Sequence, residues 1–183
     1  IVIEAQNLFG PRSCEIHGIK TFNGAKADDV ILKTASVIIN TKSPLASVFD
    51  DVIIGKQAIL PEVDGIVYED RLGTTGWIYR KKILVGTRDL LIHHGVPVLK
   101  EDFEKKYTRK GRKVLYLAEA GKLMAMFVVS YSADPQLKKA LRKLEKSGMT
   151  ILVRSADPFI NDESIAELFE LPDGYIRVMN SSN

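Results

Sequence analysis

Cysteine is almost missing from this chain: Cys14 stands alone among 183 residues, so no disulfide can form within it and a reducing setting fits best. Histidine is nearly as scarce. With three in all, the one ligand-like spacing is Cys14 and His17 as C-x-x-H, two ligands where zinc takes four, and no metal site is expected. Long apolar runs are lacking too: nothing approaches the ~20 apolar residues of a membrane span, and no charged-then-apolar leader opens the chain, so the segment reads as soluble. It begins on the apolar "IVIEA" without an initiator Met, as a piece cut from a longer protein would. An excess of one charge is absent as well. The 26 basic and 23 acidic residues leave a net +3, too even to imply nucleic acid as a partner. Repeats and low-complexity tracts are also absent. What remains, 45% hydrophobic and 27% charged residues, is ordinary globular material and excludes a disordered chain.

Periodicity then divides the chain. "IVI" reads as a short buried strand, followed by a loop through Gly10, Pro11 and Gly18. Val30, Ile31, Ala35, Ile38 and Ile39 mark one face of a helix from Asp28 to about Asn40. In "SPLASVFDD", Ser43 suits a helix cap and Pro44 the first helical position, so a second helix to about Gly55 completes a helical hairpin. Residues 64 to 86 change to short β-branched and aromatic runs punctuated by Gly65, Gly73, Gly76 and Gly86, which predicts antiparallel strands with tight turns. Helices are expected over Arg88–His94, with His93 and His94 facing solvent at its end, and over Glu101–Lys110. Two strands follow around a turn at Glu119–Lys122, with Val114, Tyr116 and Ala118 alternating against Leu115 and Leu117. Asp134 and Pro135 open a helix that Gly148 closes, "MTILV" is a buried-type strand, Asn161 caps another helix, and "PDGY" is a turn. Helix, strand, helix around a parallel-type strand is an α/β pattern.

An antiparallel unit splitting an α/β unit, in this order, resembles the cytoplasmic loop of P-type ATPases, especially the heavy-metal-transporting branch. "SPLASVFDDVI" is similar to that branch's HPLA helix, and "GWIYRKKILVGTRDLLIHHGV" to its strand, strand, VGN, helix segment. "RKGRKVLYLAEAGKLMAMFVVSYSADPQLKKALRKLEKSGM" is similar to its GKTVVYVA…ADP passage, and "TILVRSADPFINDESIAELF" to its TGDNP passage. The resemblance implies an α/β fold: an antiparallel-sheet-plus-helices nucleotide-binding-type domain, 23–126, inserted into part of a haloacid-dehalogenase-like (Rossmann-type) phosphorylation domain, 1–22 and 127–183.

The resemblance also locates the residues that would do chemistry, and most are replaced. Glu4 falls where the family's D-K-T-G-T places its phosphorylated aspartate, and no aspartate occurs before Asp28. A glutamate carries its carboxylate about one methylene farther out and loses the alignment phosphoryl transfer needs. Ser155, Ala156 and Asp157 stand for T-G-D, keeping a hydroxyl and a carboxylate, while the Mg²⁺-holding G-D-G-x-N-D segment has no counterpart. Lys42 and Ser43 replace the Glu and His of S-E-H-P. An ammonium cannot accept a bond from an adenine amino group, and a serine offers no ring to stack. Of the family's G-x-G, Arg71 replaces the first glycine and Gly73 keeps the second, with Gly86 in the VGN position. Simpler roles exist for each: hairpin punctuation for Gly73 and Gly86, capping for Asp134, a turn for Asp157.

The expectation is a domain that has lost phosphorylation and ATP hydrolysis, with a regulatory or scaffolding role and flanking transmembrane segments of the same protein as its partners. No cofactor is expected. An active pump fragment using ATP and Mg²⁺ is the alternative. A polyanion-binding module is a third, resting on Lys105, Lys106, Arg109, Lys110, Arg112 and Lys113 with Tyr107 among them, although no specific nucleic acid is expected.

Overall fold

The computed structural model describes residues 1–10 and 13–180. Its strands form two sheets. The smaller is parallel and holds β1 (Val2–Glu4), β8 (Ile151–Ser155) and β9 (Ile176–Asn180) in the order β1-β8-β9. The larger is antiparallel and runs β2-β7-β6-β5-β4-β3, from β2 (Cys14–Thr21), β3 (Asp64–Glu69), β4 (Gly73–Ile78), β5 (Lys81–Gly86), β6 (Lys113–Glu119) and β7 (Lys122–Tyr131). The chain is mixed α/β, as expected.

Both faces of the larger sheet are covered, which explains why β6 is apolar from Val114 to Ala118. On one face α2 (Ala27–Ile38) and α3 (Leu45–Val52) pack Val30, Val37, Ile38, Leu45 and Phe49 against Ile83, Leu115, Leu117 and Phe127. Phe49 and Phe127 meet edge to face at 5.3 Å. On the other face Leu90 and Leu91 of α4 (Arg88–His93) meet Leu84, Val114, Tyr116 and Met126, with Phe103 of α5 (Glu101–Lys105) beside them. The predicted alternation along β6 thus sends its two sets of side chains to two cores. The first core continues into the small sheet, through Ala5 and Leu8 of α1 (Ala5–Leu8), Ile151, Val153 and Phe169.

Helix ends follow local chemistry. In α6 (Pro135–Lys146), Asp134 Oδ1 accepts from the Gln136 N–H at 3.1 Å, and Gly148 closes the helix at φ +80°, where a side chain would be strained. In α7 (Asp162–Phe169), Asn161 and Ser164 form a reciprocal capping box.

Several segments differ from the sequence reading. Residues 14–21, read as loop, are a strand of the large sheet, whose bulge between Ile16 and Gly18 breaks the period-two alternation. The helix expected to reach Lys110 stops at Lys105, and a single turn at Arg109–Gly111 follows with Lys110 at φ +61°. His94 does not face solvent: Nε2 donates to Glu69 Oε2 at 2.5 Å, and Lys82 Nζ donates to Nδ1 at 2.9 Å.

Candidate functional site

Parallel strands end in line at one sheet edge, where α/β folds gather ligands. β1 ends on Glu4, which lies opposite Arg154 of β8. Ser155 ends β8, and Asp157 follows it. Asp157 is 1% exposed, yet no cation reaches it among the described residues. Three donors hold it instead. Oδ2 accepts from Ser43 Oγ at 2.5 Å and Tyr131 Oη at 2.6 Å, and Oδ1 from the Phe159 N–H at 2.8 Å. Burial raises the carboxyl's pKa above its ordinary 3.8, and the bonds from Ser43, Tyr131 and Phe159 partly offset that rise. Burial also pushes the Tyr131 phenol and the neighbouring Cys14 thiol up, and the Asp157 charge adds to both. Ser155 Oγ accepts from the Asp157 N–H at 2.9 Å.

Glu4 is held from the other unit. Its Oε1 accepts from Lys42 Nζ at 3.1 Å, while Oε2 is buried without a partner. The sequence builds this approach locally. After α2, the turn Ile39–Thr41 leads into Lys42 at φ +55°, and the Thr41 carbonyl accepts from the Ala156 N–H at 3.1 Å. Ser43 then has two tasks. It caps α3 by accepting from the Leu45 N–H at 3.0 Å, as the sequence implies, and donates to Asp157, which the sequence did not indicate. Ser43→Ala is expected to cost about 2 kcal/mol, a cap plus a bond to a charged acceptor, read as a lower urea midpoint with an unchanged slope.

The glycines of the sequence reading lie directly opposite each other in β4 and β5. Both are buried. A Cβ on Gly73, whose φ is +145°, would sit 2.4 Å from the Val85 carbonyl oxygen and 2.9 Å from Leu90 Cδ2. One on Gly86 would sit 2.3 Å from the Leu72 carbonyl oxygen and 2.8 Å from Gly73 Cα. Their missing side chains are therefore filled by the protein itself. Arg71 keeps a glycine-like φ of +62° and reaches Glu163 of α7 at 3.1 Å. Between the β3–β4 turn and Ser155 lies a polar cavity of about 90 Å³.

The structure thus brings Glu4, Lys42, Ser43, Ser155 and Asp157 to one edge and pairs the residues of one unit with those of the other. Gly73 and Gly86 make no such contact. Tyr131 was missed by sequence reasoning; its only signal was its place at the end of an alternating strand.

No protein-family profile matches the chain. Copper-transporting ATPase 2 of Rhizobium meliloti (strain 1021) is 25% identical over 166 residues, 90% of this chain. The chain is similar in sequence to this heavy-metal P-type ATPase. It spans 20% of that protein's length. A crystal structure of a zinc-transporting PIB-type ATPase in the E2.Pi state aligns with 97% of the chain, over 28% of its own length, at a TM-score of 0.56 and 11% identity. The N-domain of HMA6, a copper-transporting P-type ATPase, aligns over 99% of its own length with 64% of the chain at a TM-score of 0.54 and 15% identity. The antiparallel-sheet-plus-helices unit thus has the fold of P-type ATPase N-domains.

Proposed function

We propose that this chain is the cytoplasmic region of a membrane-anchored, P-type-ATPase-like protein that no longer transfers phosphate, and that it serves there as a regulatory or scaffolding domain attached to transmembrane segments of the same protein. On this reading the parallel sheet is what remains of a haloacid-dehalogenase-like phosphorylation domain. The inserted unit, on the same reading, is the nucleotide-binding-type domain expected over 23–126.

One observation carries the reading: the two carboxylates at the catalytic positions are occupied by the residues that replace the adenine-binding pair. Lys42 holds Glu4, and Ser43 with Tyr131 holds Asp157. Phosphoryl transfer depends on a nucleophile placed in line with its phosphorus and on metal-bridged charge. Asp157 has both oxygens occupied by protein donors, which suits it poorly as an Mg²⁺ ligand. The residues present do not fit ATP with Mg²⁺.

Incubation with γ-labelled ATP and Mg²⁺ is expected to leave no acid-stable, hydroxylamine-sensitive label on this chain. The Glu4→Asp variant, which restores the carboxylate type alone, should stay unlabelled too. A label on the native chain would overturn the reading. Calorimetric titration is likewise expected to show no micromolar ATP binding at this edge, since an acceptor and a stacking surface are lost at about 1–3 kcal/mol each.

A further inference from the structure

A second site stands apart from that reading, on the opposite face of the large sheet. The early stop of α5 at Lys105 leaves part of that face uncovered, where Gly18 and Lys20 of β2 lie opposite Val128 and Met126 of β7. The bulge beside Gly18 and its missing side chain open the surface further, and a Cβ built there meets nothing within 4 Å. The result is a cavity of about 460 Å³, with Met126 and Val128 on its apolar side.

Its rim is cationic. Lys20, Lys106, Arg109, Lys110 and Arg112 line it with Tyr107 and His17, and no carboxylate does. Among the described residues, none of these five cations forms an ion pair. Some cations elsewhere are paired: Lys33 meets Asp29 and Glu119 at 2.8 Å each, and Glu170 takes both Lys138 and Arg142. Two of the rim lysines are ordered by an aromatic ring, with Lys20 Nζ 4.6 Å and Lys106 Nζ 5.8 Å from the Phe103 centroid. Lys110 sits at φ +61°, where a β-carbon is strained, and its side chain also lines an adjoining cleft of about 410 Å³.

Like charges gathered without counterions repel one another, and an apolar floor lowers the local dielectric and sharpens that repulsion. An anion of matching multiplicity relieves it. The volume lies in the range of small-molecule sites and suits a compact ligand. We propose that this cavity binds a compact ligand carrying two or more phosphoryl groups, either free in solution or as a lipid headgroup.

The test titrates the intact chain at physiological salt with inorganic tripolyphosphate and with inorganic phosphate. Tripolyphosphate is expected to bind at about 10⁻⁴ M or tighter, and phosphate at least about tenfold more weakly. Two variants separate the cavity from the overall charge. Gly18→Leu fills the cavity without changing charge, and should weaken tripolyphosphate at least about tenfold while circular dichroism stays native. Arg109→Glu with Arg112→Glu should do the same, whereas Lys139→Glu with Lys146→Glu, exposed on α6, should leave affinity within about twofold. Comparing soluble inositol trisphosphate with phosphatidylcholine vesicles containing phosphatidylinositol bisphosphate assigns the source, and binding of either supports the proposal. Equal losses in the two charge-reversed pairs would overturn it. So would an unaffected Gly18→Leu, or binding of short single-stranded RNA where tripolyphosphate fails.

Discussion

Replacing Asp157 by alanine is expected to destabilise the fold by about 2–4 kcal/mol at neutral pH. Two opposing terms set the size. The substitution removes a buried carboxylate that no cation compensates, which is a gain. It also strands the hydroxyls of Ser43 and Tyr131 and the Phe159 N–H, each worth about 1–3 kcal/mol when left without a partner, and three such losses outweigh one gain. Asp157→Asn distinguishes charge from hydrogen bonding, because it keeps the shape and does not titrate. The folded-state pKa of Asp157 is raised, so the native fold holds this proton more tightly than the unfolded chain. Its stabilising contribution is complete below the ordinary 3.8 and is lost as pH rises through the raised value. The advantage of the wild type over Asp157→Asn should therefore shrink across that window and then level off. Glu170, whose carboxyl Lys138 holds down, acts with the opposite sign, and subtracting one protein from the other removes it. Urea unfolding from pH 3.5 to 7 measures the difference; parallel pH profiles would show that Asp157 does not titrate as its burial requires.

Gly73→Ala should be at least as damaging, at about 3 kcal/mol or more. A methyl group there meets the Val85 carbonyl oxygen and Gly86 Cα inside van der Waals contact, and backbone of a central strand pair cannot rotate away as a side-chain tip can. The φ of +145° adds strain for any L side chain. Gly86→Ala meets the same wall from the other side, at about 2–3 kcal/mol. Guanidinium midpoints of the two single variants and the double variant provide the check. Because they share one gap, their effects should fall short of additive, and full additivity would show that the strands do not touch there. Any bulky substitution at Gly73 unfolds what it is meant to probe, so ligand affinity in such a variant says little about a nucleotide pocket.

Local chemistry made much of the fold readable. Asp134-Pro135 and Asn161 announce helix starts by side-chain capping, Gly148 a helix end, and the β-branched runs between glycines the hairpins from β3 to β5. Each signal acts within a few residues. β2 escaped because its bulge shifts Ile19 out of phase with Cys14 and Ile16, and β9 because five residues after a turn carry little period. At the candidate site Glu4, Lys42, Ser43 and Asp157 could each be singled out by their place in a motif. Their pairing could not: Ser43 and Asp157 lie 114 residues apart, and no local periodicity encodes which donor a buried carboxylate will find. Tyr131 is the plainest case, a strand-end aromatic whose hydroxyl matters only once the other unit is against it.

The pairing of the first strands with late ones also fixes the order of assembly. Val2 sits opposite Leu152, and Cys14 opposite Tyr131, so both strands close loops spanning most of the chain. Hairpins such as β4–β5 and β6–β7 form on the scale of microseconds, but loop closure over long separations is entropically expensive and slows the overall rate. During synthesis at about 5–20 residues per second, β1 and β2 leave the ribosome seconds before their neighbours exist. They wait unpaired, and the contacts of Lys42 with Glu4 and Ser43 with Asp157 are made only when the last third of the chain arrives.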